Sequence, residues 1–198
     1  MRGLERTFGV TRSTVISWLK KDHQYPALAD TLIESDSHDP DATTLELDEM
    51  WSFVLQKTNQ MWSFVLQKTN QSWIWLAICR ATRQIVAYVI GDRSEQTCRK
   101  LWDAIPEAYR CGTCYIDFWK AYAAVIPDDQ HEAVGKETGE TAHIERFNNT
   151  IRQRLARFVR KTLSFSKSQL MHDICLRLFG SGRISNGELK TCFHGAPK

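Results

Sequence analysis

An aspartate in the middle of an apolar, strand-like run constrains this chain more than any other feature. In LELDEMWSFV, residues 45–54, apolar side chains recur as on a half-buried strand, and Asp48 sits centrally among them. An ionisable group in such a run is costly unless it is paired, so Asp48 reads as a functional residue. Its neighbour Glu49 points to the other face and is expected to be exposed. Two further runs, SWIWLAICRAT and QIVAYVIGD, extend the pattern, and turns expected near 69–71 and 81–83 make the three an antiparallel meander.

Beyond the meander the period changes. Ser94–Ile105 is helical in spacing, with Thr97, Leu101 and Ile105 on one face. Residues 113–116 form a short buried-type strand ending at Asp117, and 119–126 resume as helix. A long helix is expected over about 142–160 and another over 165–179. Three strands, helix, strand, helix is the element order of a ribonuclease H-like (retroviral integrase-type) α/β domain. In such a fold the first and fourth strands are neighbours, so Asp48 and Asp117 meet at one edge, and Glu145 on the crossing helix can close the cluster. Carboxylates are the ligands Mg²⁺ prefers, and three of them together would repel one another without a cation. Simpler roles exist for two of these acids. Asp117 can cap the helix near Trp119, and Glu145 can complement a helix dipole in its first turn.

Charge separates along the chain in the same region. The window Arg146–Lys167 holds five Arg, two Lys and no acid; it carries +7 of a chain whose net charge is +3, leaving −4 elsewhere. One concentrated basic patch is the footprint expected of a nucleic-acid binder, against the plainer reading of a solvated helix face. Ile144, Phe147, Ile151, Leu155 and Phe158 form its buried stripe, flanked by a ridge of Glu145, Asn149 and Arg152. Arg154, Arg157, Arg160 and Lys161 extend the basic face.

The first 22 residues read as a partial helix-turn-helix. Leu4 and Phe8 share a face, Gly9 breaks the first helix, and Thr11 or Ser13 caps the second. Val15, Trp18 and Leu19 would anchor that second helix, leaving Arg12, Ser13, Thr14 and Ser17 for a DNA groove. Residues 23–44 look like a linker, 45–179 like the catalytic domain, and 180–198 like a disordered tail. No apolar run reaches membrane-spanning length and no signal peptide is evident, so six reduced cysteines and a cytoplasmic, nucleoid-associated location are expected. Cys111 and Cys114 have metal-like spacing but no partner pair.

MWSFVLQKTNQ occupies 50–60 and recurs unchanged at 61–71. Two copies of eleven residues are not a repeat architecture. If the first copy keeps strand one, the second loops out before strand two. If the second copy took the strand, Asn59 would stand where Asp48 should. The first arrangement is expected, with an apolar, protruding loop.

LDEMWSFV, YIDFWKAY and HIERFNNTIRQRLARFVRKTLSFSKS resemble the three catalytic blocks of the insertion sequence one (IS-one) family of bacterial transposases. The resemblance covers about residues 3–179. It implies an Asp–Asp–Glu enzyme, using Mg²⁺ with Mn²⁺ as a substitute, that cuts DNA at terminal inverted repeats and joins the 3′ ends to target DNA as a homo-oligomer. Mapped here, the triad and metal ligands are Asp48, Asp117 and Glu145, with His143, Asn149, Arg152 and Arg154 as helpers near the substrate. Such a family carries a zinc-finger segment and a full helix-turn-helix ahead of the point where this chain starts, hence the expectation of a truncated module. The other readings are a DNA-binding remnant or regulatory derivative that does not cut, and a ribonuclease acting on RNA–DNA hybrids.

Overall fold

The computed structural model describes residues 6–21, 28, 32, 41–54, 71–159 and 165–181. Within them the chain forms one mixed sheet with helices on both faces. Strands β1 (Leu45–Phe53), β2 (Gln71–Cys79) and β3 (Ile85–Gly91) make the antiparallel meander. Helix α2 (Glu95–Ala104) follows, capped by Ser94, whose hydroxyl accepts from the Thr97 N–H. The α1 label belongs to Arg12–Lys21, near the N-terminus. A short helix α3 (Glu107–Arg110) leads into β4 (Cys114–Ile116), then come α4 (Lys120–Val125) and β5 (His131–Ala133). Helices α5 (Ala142–Arg154) and α6 (Gln169–Ser181) complete the described elements.

The strand order is β3-β2-β1-β4-β5, with β4 parallel to β1 and β5 parallel to β4. The edge strand β5 is a three-residue element with no sequence period to announce it. Alternation along β1 sends Leu45 and Leu47 to one face, where they pack with Trp75, Leu101, Ile116 and Tyr122 beneath α2 and α4. Met50, on the other face, joins Ile74, Leu76, Ile144, Phe147 and Ile151 beneath α5. The stripe expected on α5 is thus its buried face.

Helix α5 is shorter than its spacing predicts. It ends at Arg154; Leu155 turns extended (φ −110°, ψ 97°), and Ala156–Phe158 continue as a 3₁₀ turn. That turn drops Phe158 into the core, where its ring stacks on His172 of α6 at 4.4 Å between centroids. Helix α6 begins at Gln169 rather than 165, because Phe165 and Ser166 are not helical and Ser166 bridges to Val54 beyond β1.

Gly9 adopts a left-handed turn (φ +63°), as a break before α1 requires, and the Thr11 hydroxyl accepts from the Thr14 N–H as cap. The expected anchor Trp18 is not buried: it is 57% exposed, and Phe8 is 68% exposed. The helix instead turns Arg12 and Ile16, four residues apart, towards the α5–α6 side of the domain. In the expected linker, Leu28 and Leu32 pack against the two core clusters. Most of that linker, the segment 55–70 and the tail from 182 onward lie outside the described residues.

The register locates the duplicated unit. Phe53 pairs with Gln71, so the first copy supplies Met50–Phe53 to β1, while the second, apart from Gln71 at the start of β2, falls within the connection between the two strands.

Candidate active site

The parallel pairing of β1 with β4 sets the site. Leu45 lies opposite Cys114 and Glu46 opposite Tyr115, so two residues further along both strands Asp48 and Asp117 reach the same level. Oxygens of Asp48, Glu49 and Asp117 lie within 4.8 Å of one another. Asp117 also accepts from the Trp119 N–H at 3.0 Å, but Trp119 is itself the N-cap of α4, so this bond shapes the turn ahead of the helix and does not cap it.

Asp48 faces α5. Its Oδ2 accepts from the Asn148 amide at 2.6 Å, and its Oδ1 from the Glu49 N–H at 2.8 Å. Burial, then Glu49 and Asp117, push its carboxyl up to about 7, so near neutrality this group is poised between neutral and charged.

Glu49 does face the opposite side of the sheet, but it is 7% exposed, not solvent-facing. Burial raises its pKa first and Asp117 next, while Arg93 and the Tyr122 hydroxyl oppose the rise. Tyr122 donates to Glu49 at 3.0 Å and Arg93 Nε at 2.7 Å. The Arg93 guanidinium lies over the rings of Trp119 (3.8 Å) and Trp73 (4.7 Å).

Glu145 stands on α5 one turn before Asn148, half-buried, and is not one of the three carboxylates sharing the cluster. What holds its helix there is Glu46, fully buried on the same strand face as Asp48. Its Oε2 accepts the N–H groups of His143 and Ile144 at 3.0 and 2.9 Å, and its Oε1 pairs with Arg80 at 3.2 Å. A carboxylate on the first N–H groups of a helix satisfies orphan donors and complements the dipole. Arg80 reaches on to Glu140, just before the helix. Sequence reasoning passed over Glu46 and Asn148, although each left a signal: a second acid on Asp48's strand face, and a polar residue at i+4 from Ile144 inside the apolar stripe.

The expected DNA contacts fall in two groups. Arg12, Arg154 and Arg157 line one cleft of about 590 Å³ together with Lys167, Phe165 and Ile16, and no acidic residue is on its wall among the described residues. Ser13, Ser17 and Asn149 are exposed, whereas Thr14 and Arg152 are half-buried. Arg160 and Lys161 lie outside the described residues.

An all-oxygen donor set with a raised carboxyl suits a hard divalent cation such as Mg²⁺ or Mn²⁺. Residues 56–181 match the family model described as IS1 transposase. The chain belongs to the IS1 transposase family. The matched span contains Asp117 and Glu145, and Asp48 precedes it. Among the curated relatives of this IS1 family member, the insertion element iso-IS1n protein InsB of Shigella dysenteriae is 37% identical over 138 residues, which is 70% of this chain and 94% of that protein. The insertion element IS1 protein InsB of Shigella flexneri is 35% identical over 128 residues, 65% of this chain and 86% of that protein. The solved Mos1 transposase paired-end complex with left transposon end aligns at a TM-score of 0.40 with 11% identity, covering 92% of this chain and 66% of that one, which is too slight to bear on function. Among the described residues no helix is long and apolar enough to cross a membrane.

Proposed function

We propose that this chain is an Asp–Asp–Glu transposase that cleaves DNA at the ends of an insertion sequence and transfers the 3′ ends to target DNA. The observation that carries the reading is the meeting of Asp48 and Asp117 at one level of adjacent parallel strands in a member of this family. The β3-β2-β1-β4-β5 order, antiparallel in its first half and parallel in its second, supports a ribonuclease H-like core. Asp48 and Asp117 would hold the cation, with Glu145 joining from α5. When bound, Mg²⁺ supplies activation of a water or 3′-hydroxyl and stabilises the leaving oxygen of a phosphodiester.

The protein's own groups divide the remaining work. Glu46 pins the first turn of α5 against β1, and Asn148 orients Asp48. The cleft of Arg12, Arg154, Arg157 and Lys167 supplies a cationic wall, with no acid on it among the described residues, suited to a phosphate backbone. The exposed polar residues of α1 are those a helix-turn-helix would present to a groove, and DNA held there would be gripped by both parts.

The test is cleavage of duplexes carrying the element's inverted repeats. Mg²⁺-dependent nicking or strand transfer is expected, lost in Asp117→Asn and in Glu145→Gln. A Glu145→Gln protein as active as the wild type would remove Glu145 from the triad. DNA binding that persists in EDTA, without cleavage in Mg²⁺ or Mn²⁺, would instead identify a non-cutting, DNA-binding derivative.

A further inference from the structure

Asn148 is a polar residue where α5 should be apolar. It is 5% exposed, on the face that carries Ile144, Phe147 and Ile151 into the core. One end of its amide is satisfied: Nδ2 donates to Asp48 Oδ2 at 2.6 Å. The other is not: Oδ1 is buried without a hydrogen-bond partner among the described residues. An unpaired buried amide oxygen costs about 1–3 kcal/mol, which a leucine of similar size would avoid.

The amide cannot relieve this by turning over. The ionised Asp48, the form that holds a cation, only accepts, so the NH₂ group must face it and Oδ1 must face elsewhere; were Asp48 protonated, turning the amide over would only leave the NH₂ group unpaired instead. The two heteroatoms of one amide are about 2.2 Å apart, so Oδ1 lies within about 5 Å of Asp48 Oδ2. That bound keeps Oδ1 within reach of a cation bound to Asp48, whose carboxylate lies within 4.8 Å of those of Glu49 and Asp117. An amide carbonyl is a hard, neutral oxygen donor of the kind Mg²⁺, Mn²⁺ and Ca²⁺ accept. It would add a ligand without adding charge to a cluster where carboxylates already repel.

We propose that Asn148 Oδ1 is an oxygen ligand of the divalent cation held by Asp48 and Asp117, while Nδ2 of the same amide fixes the Asp48 carboxylate. The assignment rests on the cation-dependent reading of the site and deepens it. One side chain thereby couples the position of α5, and of Glu145 one turn away, to occupancy of the centre.

Terbium binding to the whole chain tests this without any turnover. Tryptophans beside the site, Trp119 among them, sensitise Tb³⁺ emission, and lifetimes in H₂O and D₂O count the waters left on the ion. Asn148→Leu is expected to bind roughly tenfold more weakly, in the range seen when a shell partner is lost, and to retain one more water. Asn148→Asp keeps an oxygen but loses the donor to Asp48; it is expected to bind at least as tightly as the wild type with the same water count. An unchanged water count in Asn148→Leu, or weaker binding by Asn148→Asp, would reduce Asn148 to an orienting group and overturn the assignment. Should the leucine protein not fold, the aspartate variant decides alone. Failure of the wild type to bind Tb³⁺ saturably, or wild-type binding by Asp117→Asn, would sink the cation centre itself and the Asn148 assignment with it.

Discussion

Arg93 holds Glu49 in surroundings where a lone carboxylate would not stay charged. Glu49 is buried, and Asp117 and Asp48 stand close by. Removing one partner of such a pair leaves the other charge uncompensated, which for fully buried pairs costs about 3–5 kcal/mol. The Arg93 side chain is 34% exposed, so the expected cost of Arg93→Met is nearer about 2 kcal/mol. Methionine keeps apolar contact with Trp73 and Trp119, so the charge is what is removed. Adding Glu49→Gln to Arg93→Met should restore most of the loss, and urea unfolding of the two single variants, the double variant and the wild type measures the coupling. Simple additivity would mean that Arg93 stabilises by stacking on the two indoles and not by neutralising Glu49.

At the scale of elements, α5 and α6 are fastened to β1 in different ways. Glu46 and Asp48 take α5 at its first turn and its middle; Ser52, further along the same strand face, takes α6 through His172. The His172 ring is fully buried between the hydroxyls of Ser52 (2.9 Å) and Ser166 (2.7 Å), with Phe158 stacked on it. Burial, and secondarily Arg157, lowers its pKa to about 4, with Asp173 opposing. The folded value lies below the ordinary value near 6.5, so as pH falls the unfolded chain takes up the proton first. Stability present above pH 6.5 is therefore lost progressively down to about pH 4, by about 3 kcal/mol over that window. Urea midpoints of the wild type and His172→Gln between pH 7 and 4 should converge by that amount, and parallel curves would show that His172 titrates normally. This fastening also explains what was legible in the chain. The stripe Ile144, Phe147, Ile151 and the acids on adjacent strands follow from local period, which packing reinforced. The stop at Arg154 does not, because helical spacing continues through Phe158, whose ring packs on His172, fourteen residues later in the chain, after Leu155 has turned extended. Trp18 departs from the expectation for a related reason: Trp18, Val15, Leu19 and Ile16 span one broad apolar arc, and Ile16 at its far edge is the residue turned to the cleft while Trp18 stays exposed.

For the molecule as a whole, the repeated unit is where the sequence pattern leaves the pairing most open, and the register follows the expected arrangement with the first copy in β1. Two identical copies offer β2 the same partner twice, and no period in the chain says which is used; pairing of Phe53 with Gln71 does. The first copy is preferred because it alone is continuous with Asp48 and with the residues that bond β4. The cost is a connection of residues 54–70 between strands that a hairpin of ordinary length could join. Because the copies are identical, deleting 61–71 leaves Gln60 in the place of Gln71, followed by Ser72 as before, and shortens the connection to 54–59. Loop-closure entropy then favours the shorter chain by about 1 kcal/mol. The deletion variant is expected to unfold at higher urea by that margin and to bind Tb³⁺ as the wild type does, since β1 keeps its register from Leu45 through Phe53. Lower stability in the shortened chain would mean that the second copy contributes apolar contacts to the domain, and that the duplication has been absorbed into its core.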